Sequence, residues 1–266
     1  MTRIVAITNQ KGGVGKTTTS VNLAASMAAT KRRVLLVDMD PQGNATMGSG
    51  VIKNQVRAST YDVVMGMVEA KNAILRLENC GFDILPGNRD LTAAEVELTD
   101  RQEDGREAKL RNMLKPIRES YDYILIDCPP SLSMLTINAL AAADGVLIPM
   151  QCEYYALEGL TALLDTIDKI REVVNPDLEI DGLLRTMFDP RNNLANQVSA
   201  QLIVHFEDKV YRTIIPRNVR LAEAPSHGLP VLQYDRTSRG ALSYLALAGE
   251  ILRREAKKVQ DIAASA

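Results

Sequence analysis

The chain has no tryptophan, three phenylalanines and only 4% aromatic residues in 266. Stacking on unpaired bases therefore has little to work with, which disfavours a single-strand binder built on aromatic platforms. Cysteine is equally sparse. Cys80, Cys128 and Cys152 form an odd, scattered set without metal-ligand spacing, and the simple reading is a reduced, cytosolic protein rather than a disulfide framework or a structural zinc. No apolar run approaches the roughly 20 residues of a membrane span, and the N-terminus lacks the charged-then-apolar secretory pattern. Neither sign of charge dominates, since 31 Lys/Arg face 33 Asp/Glu. That balance hides an asymmetry: from Arg185 to Lys258, 12 basic residues face 7 acidic ones, against 19 and 26 elsewhere. A basic C-terminal portion on an acidic chain hints at a polyanion partner, although a solvated surface explains charge alone as well.

What is present is a regular alternation of strands and helices. β-branched and leucine-rich runs occur at Arg3–Thr8, Arg33–Asp38, Phe82–Leu85, Tyr123–Asp127, Gly145–Pro149, Ile180–Met187, Val210–Ile215 and Pro230–Tyr234. They are continuous apolar blocks, as strands buried on both faces are. Helical patterns fill the intervals at Thr17–Thr30, Arg106–Ser120, Leu132–Ala143, Ala156–Val174 and Asn192–Glu207, with a last helix from about Ser238 to Ala263. Gly48–Arg106 is less regular and reads as helical insertions near one edge. The pattern predicts an α/β fold with one doubly wound, mainly parallel sheet flanked by helices, as a single domain over residues 1–266. With 46% hydrophobic residues, a chain of this length can bury a substantial core.

Directly after the first strand stands Asn9-Gln10-Lys11-Gly12-Gly13-Val14-Gly15-Lys16-Thr17-Thr18. A phosphate loop of the G-x-x-x-x-G-K-[ST] type ends in Gly15, Lys16 and Thr17, while Gln10 replaces its first glycine and Lys11 is an extra lysine. Successive N–H groups of Gly12, Gly13, Val14 and Gly15 form an anion nest, to which the following helix adds its positive end. Lys16 is suited to the β- and γ-phosphates of ATP, the Thr17 hydroxyl to Mg²⁺ and Thr18 to the α-phosphate. Lys11 is harder to satisfy within one chain. Two acidic strand ends complete the pattern. Asp38 and Asp40 end the run Val34–Asp40 before Pro41-Gln42-Gly43-Asn44, and Asp127 ends Ile124-Leu125-Ile126, where open α/β sheets bind ligands. Asp127 suits a Mg²⁺ shell.

The K-G-G-x-G-K-T-T form resembles the deviant Walker A motif of the ParA/MinD group of ATPases. The stretches Cys152–Leu160 and Ile215–Gly228 extend the resemblance to the ParA/Soj chromosome-partition ATPases over nearly the whole chain. The resemblance implies an ATP-sandwich homodimer in which Lys11 crosses to the partner's nucleotide. It implies an attacking water oriented by Asp40, with Asp38 supporting the Mg²⁺ shell, so that Lys11, Lys16 and Asp40 carry catalysis. It also implies non-specific binding of double-stranded DNA, a ParB-like activator that stimulates weak hydrolysis, and a cytoplasmic, nucleoid-associated protein. Arg191 and Arg220 match family positions on the DNA backbone, with Arg217 beside them; Met187, Pro216 and Asn218 match positions that hold adenine. Arg185 departs from the family, where an apolar residue is usual.

Three rivals share the machinery. A MinD-like membrane ATPase needs a C-terminal amphipathic helix with bulky apolar residues, whereas Arg253–Ala264 is basic with mostly alanine opposite, so no membrane is expected. A positioning ATPase for another cargo is not separable by sequence. An enzyme acting on a metabolite, or an iron–sulfur reductase, needs a substrate domain or bridging cysteines that are not seen.

Overall fold

The sheet follows from runs whose apolar residues occupy both faces. In Arg3–Ile7 (β1), Ile4 and Ala6 enter one core while Val5 and Ile7 enter the other. Val34–Asp38 (β2) repeats this, with Leu35 and Val37 opposite Val34 and Leu36. So does Tyr123–Asp127 (β5), with Ile124 and Ile126 opposite Tyr123 and Leu125. A sheet apolar on both faces requires helices on both.

The computed structural model describes residues 2–100 and 104–265. Its other strands are Leu75–Leu77 (β3), Phe82–Leu85 (β4), Gly145–Gln151 (β6), Glu179–Phe188 (β7) and Val210–Pro216 (β8). All belong to one sheet of order β3-β4-β2-β5-β1-β6-β7-β8, parallel throughout except for β3 against β4. One face is covered by Lys16–Ala29 (α1), Asn44–Gly48 (α2), Val219–Glu223 (α10), Val231–Tyr234 (α11) and Arg239–Ser265 (α12). The other is covered by Thr60–Val64 (α3), Ala70–Ala73 (α4), Leu91–Asp100 (α5), Lys109–Leu114 (α6), Met134–Ala142 (α7), Ala156–Val173 (α8) and Asn193–Phe206 (α9). The doubly wound architecture expected from the alternation is therefore the one observed.

Two local expectations are corrected. Pro230–Tyr234 is a short helical turn, not a strand. The Val231 N–H donates to the Asn22 side-chain oxygen of α1 at 2.7 Å rather than to a sheet neighbour, and Val231 and Leu232 are buried on the α1 face. The helix expected over Arg106–Ser120 is interrupted: 3₁₀ turns at Arg106–Ala108 and Lys115–Ser120 flank α6. Pro116, at the start of the second turn, has no N–H for the α-helical ladder. The irregular stretch Gly48–Arg106 holds short helices, as expected, and also the antiparallel edge strand β3.

This topology gathers the acidic strand ends. Asp38 and Asp127 are register partners on β2 and β5, and Ile7 pairs with Asp127 on the other side. The connection from β1 leads to β2 on one side of the sheet, and that from β5 crosses β1 to β6 on the other. The direction of winding therefore reverses at β5 and β1, and the carboxyl ends of β1, β2 and β5 border the crevice where such sheets bind ligands. Gly87, just after β4, closes this region. A Cβ there would lie 2.7 Å from the Asp38 carbonyl oxygen and 2.8 Å from its Cγ, so only hydrogen fits. Gly87→Ala is expected to cost about 2 kcal/mol of stability, seen as a fall of roughly 5 °C in thermal unfolding. An unchanged melting temperature would mean that the segment after β4 can move away from Asp38.

Candidate active site

The loop between β1 and α1 is held by two neighbouring strands, β6 and β7, and by a bond of its own. The Asn9 side chain donates to the Pro149 carbonyl at 2.8 Å and accepts the Lys11 N–H at 2.9 Å. The Thr186 hydroxyl, from β7, donates to the Val14 carbonyl at 2.7 Å. Gly13 and Gly15 have φ of 73° and 89°, a left-handed conformation costly for other residues. Gly15 is the N-cap of α1 and brings no capping side chain, so the first-turn N–H groups remain for an anion. Gly12 and Gly13 have open space at the Cβ position, Val14 is buried, and Thr17 and Thr18 are half-buried at the helix start.

The two lysines behave differently. Lys16 is buried and its ammonium donates to the Lys11 carbonyl at 3.0 Å. Burial holds its pKa below the ordinary value, against the pull of Asp127, Cys128 and Asp40. The Lys11 side chain is exposed and pairs with Glu153 at 2.6 Å. Such an open ion pair contributes little and is readily exchanged for another anion.

The carboxylates are the most constrained groups. Asp38 accepts the Thr46 N–H at 2.8 Å and its hydroxyl at 2.6 Å on one oxygen, and the Asp40 N–H at 3.2 Å on the other. Asp40 accepts the Gln42 N–H at 2.8 Å. Asp127 accepts the Ser20 hydroxyl at 2.7 Å on one oxygen, while the other is buried without a partner. Burial pushes both Asp38 and Asp127 up from the carboxylate range, and their mutual repulsion adds to the rise at Asp127. The Thr46 bonds at Asp38, and the Ser20 bond and nearby Thr17 hydroxyl at Asp127, oppose it.

A buried carboxylate oxygen with no partner, beside a hydroxyl on the next helix, fits a divalent cation. Among the described residues no group of three His, Cys, Asp or Glu could cage one. The donor set of Asp127, Thr17 and Asp38 thus suits Mg²⁺ that takes its remaining oxygens from phosphates and water. When bound, Mg²⁺ neutralises charge on the β- and γ-phosphates.

At the other end, the tips of β7 and β8 meet, since Phe188 pairs with Pro216. Met187 has a φ of 49°, and its sulfur accepts the Gln151 amide at 2.9 Å. Its methyl carbon lies 3.8 Å from where a Gly15 Cβ would be. Asn218 caps α10 by accepting the Leu221 N–H at 3.3 Å. Met187 therefore borders the loop, with Pro216 and Asn218 on the adjacent strand end.

The expected DNA-facing arginines also follow β7 and β8. Arg191 is 88% exposed at its side chain and pairs with Asp189 at 2.7 Å. That pair, with a smaller contribution from the nearby Arg217, pulls the Asp189 carboxyl down to about 2. Arg220 pairs with Glu223 at 2.7 Å and with Asp235 at 3.3 Å. Residues not found by sequence reasoning are Thr46, Ser20 and Glu153. Ser20 lies four residues after Lys16 and so shares its helix face, which is a usable signal; Thr46 and Glu153 have none, because they meet their partners through the fold.

A family profile described as an AAA domain matches residues 2–180. Cobyrinic acid a,c-diamide synthase from Mycobacterium smegmatis, solved with bound ATP analog and magnesium, superposes with a TM-score of 0.83 at 37% identity, covering 95% of each chain. Fold, loop and acidic strand ends define a P-loop ATPase with a deviant loop, using ATP and Mg²⁺. The chain is 52% identical to the chromosome partitioning protein ParA of Myxococcus xanthus (strain DK1622) over 96% of its length and 90% of that relative. It is 53% identical to the sporulation initiation inhibitor protein Soj of Bacillus subtilis (strain 168) over 94% and 98%. It belongs to the ParA/Soj family of chromosome-partitioning ATPases.

The buried charge has a thermodynamic signature. With the folded pKa of Asp127 raised, the unfolded chain ionises first as pH rises, and stability is lost from about pH 4 toward neutrality. Asp127→Asn removes that loss. Without nucleotide, the variant is expected to be more stable than the wild type by roughly 2 kcal/mol near neutral pH, with little difference near pH 4, while Mg²⁺-dependent hydrolysis is lost. Thermal unfolding at both pH values checks this; an equal difference at each would contradict the buried-charge account.

Proposed function

We propose that this ATPase is a DNA-partitioning switch in which ATP drives a sandwich homodimer. The observation that carries the reading is the divergence of the two lysines. Lys16 is buried in its own loop, whereas the Lys11 ammonium is exposed and, among the described residues, held by Glu153. An exposed cation on a phosphate loop, able to exchange Glu153 for another anion, suits the nucleotide of a second copy. In this scheme the whole of residues 1–266 acts as one ATPase unit. Lys16 and the loop amides hold the phosphates, and Thr17, Asp38 and Asp127 hold the Mg²⁺ environment. Asp40, with one oxygen engaged by the Gln42 N–H, orients the attacking water with the other. Phosphoryl transfer to water needs this positioning and charge neutralisation rather than covalent chemistry. Unstimulated turnover is slow, and a ParB-like partner accelerates it.

Arg191, Arg217 and Arg220 supply non-specific contacts to duplex phosphates, and the acidic partners that Arg191 and Arg220 now hold are exposed enough to be exchanged. A cytoplasmic, nucleoid-associated protein follows. α12 supports this over a membrane-bound relative. From Ala241 to Ile251 its apolar face is buried in the α1-side core, through Ala241, Tyr244, Leu247, Ala248 and Ile251, and no described helix is long and apolar enough to cross a membrane. The higher identity to partition proteins than to the metabolic enzyme favours the partition cargo.

Lys11→Ala is expected to bind ATP but remain monomeric in sedimentation, and Asp40→Ala to accumulate as an ATP dimer; a monomeric Asp40→Ala protein would sink the scheme. Binding to random-sequence duplex should appear with ATP and not with ADP, and should weaken steeply with salt. Replacing both Arg191 and Arg220 with alanine should lower the slope of log affinity against log salt by about 1 to 2 per protomer. Binding that is indifferent to nucleotide would rule out the switch.

A further inference from the structure

β7 and β8 run parallel but out of step. Leu183 pairs with Val210 and Arg185 with Ile214, so two residues of β7 span four of β8. Tyr211–Thr213 therefore bulges, and its backbone groups need partners that the ladder does not supply. Two charged side chains provide them from opposite sides. Glu250 of α12 accepts the Arg212 N–H at 2.8 Å on one oxygen, and the Thr213 N–H and hydroxyl at 2.8 Å each on the other. Arg185 of β7 donates to the Tyr211 carbonyl at 2.8 Å and the Arg212 carbonyl at 3.3 Å. Its second terminal nitrogen donates to the Ser199 hydroxyl of α9 at 2.8 Å.

Arg185 is only 6% exposed, and its Nε has no partner. Among the described residues no carboxylate lies within ion-pair distance of it. A buried guanidinium paired with carbonyls and a hydroxyl alone is costly, and an apolar residue would fill the space at lower cost. What Arg185 gives in return is a fixed bulge. Downstream of that bulge β8 ends at Pro216, opposite Phe188, and Asn218 follows. Next to Arg185 on β7, Thr186 faces the opposite side and braces the Val14 carbonyl, and Met187 comes after it. The phosphate loop has a second tie, from Asn9 to the Pro149 carbonyl of β6. The backbone that carries Thr186 is held by pairing with β6 from Met150↔Arg185 to Gln151↔Thr186, without the Arg185 side chain.

We propose that Arg185 is a positioning residue for the base end of ATP: by locking the β8 bulge to β7 and α9 it sets the gap between Met187 and the Pro216–Asn218 segment. This rests on the assignment of those three residues to the base. Arg185 touches no nucleotide and acts through the strand ends, so its loss weakens recognition of the base and spares recognition of the phosphates.

The test compares equilibrium binding of ATP and of inorganic tripolyphosphate, which has no base, both with Mg²⁺. Wild type, Arg185→Met, Arg185→Lys, Ser199→Ala and Asn218→Ala are measured. Arg185→Met is expected to weaken ATP about tenfold and leave tripolyphosphate unchanged, with Arg185→Lys recovering part of the loss because one ammonium reaches one carbonyl. Ser199→Ala keeps both bulge carbonyls bonded; it is expected to weaken ATP roughly threefold, and it decides the matter if Arg185→Met does not fold. Equal losses for both ligands would assign Arg185 a purely structural role, and no loss for either would remove any role; each overturns the proposal. Asn218→Ala separates the two levels. If it leaves the ATP-to-tripolyphosphate ratio unchanged, the base-end assignment itself fails. If it lowers the ratio and the Arg185 variants do not, the proposal alone fails.

Discussion

Two carboxylates ending adjacent parallel strands, both fully withdrawn from water, are the constraint around which this protein is arranged. Asp38 and Asp127 face each other in register, and burial penalises charge on both. The surroundings differ in how they compensate. Asp38 is met by two bonds from Thr46 and one from the Asp40 amide. Asp127 is met by Ser20 on one oxygen, which leaves the other without a partner. The protein is thus incomplete at Asp127 in a way that a cation brought with a triphosphate would complete. Stability is given up at the place where ligand binding regains it.

The phosphate loop depends on the same strand ends. It would be a flexible glycine turn if Asn9 and Thr186 did not tie it to β6 and β7. Those ties keep Lys16 within electrostatic reach of Asp127 and leave Lys11 on the outside. One loop therefore carries a buried and an exposed lysine. The β7–β8 pair performs the analogous task at the other end of the crevice. There the compensation for a backbone bulge comes from Glu250 and Arg185, two charges that satisfy amides and carbonyls rather than each other.

Much of this arrangement is legible in the order of residues alone. Apolar runs over β1, β2 and β5 predict a sheet buried on both faces because successive apolar residues point to opposite sides and both need covering. The loop is legible because its chemistry requires glycines and a lysine at fixed spacing. Pro230–Tyr234 misleads for the reverse reason: Pro-Val-Leu resembles a short strand, and only the Asn22 side chain, 209 residues away in sequence, captures the amide that a strand would have used. Arg106–Ser120 keeps helical periodicity through Pro116, where the hydrogen-bond ladder breaks.

The sequence by itself determined the layering, the loop and the presence of three aspartates at strand ends, because these depend on residue type and short-range spacing. Tertiary structure alone decided which groups meet. Thr46 reaching Asp38, Glu153 reaching Lys11 and Arg185 bridging β8 to α9 are contacts between segments whose proximity no local pattern encodes. Burial decided the remainder. A carboxylate or a guanidinium has the same chemistry wherever it stands in the chain, but its protonation and its need for a partner depend on how much water the fold leaves around it.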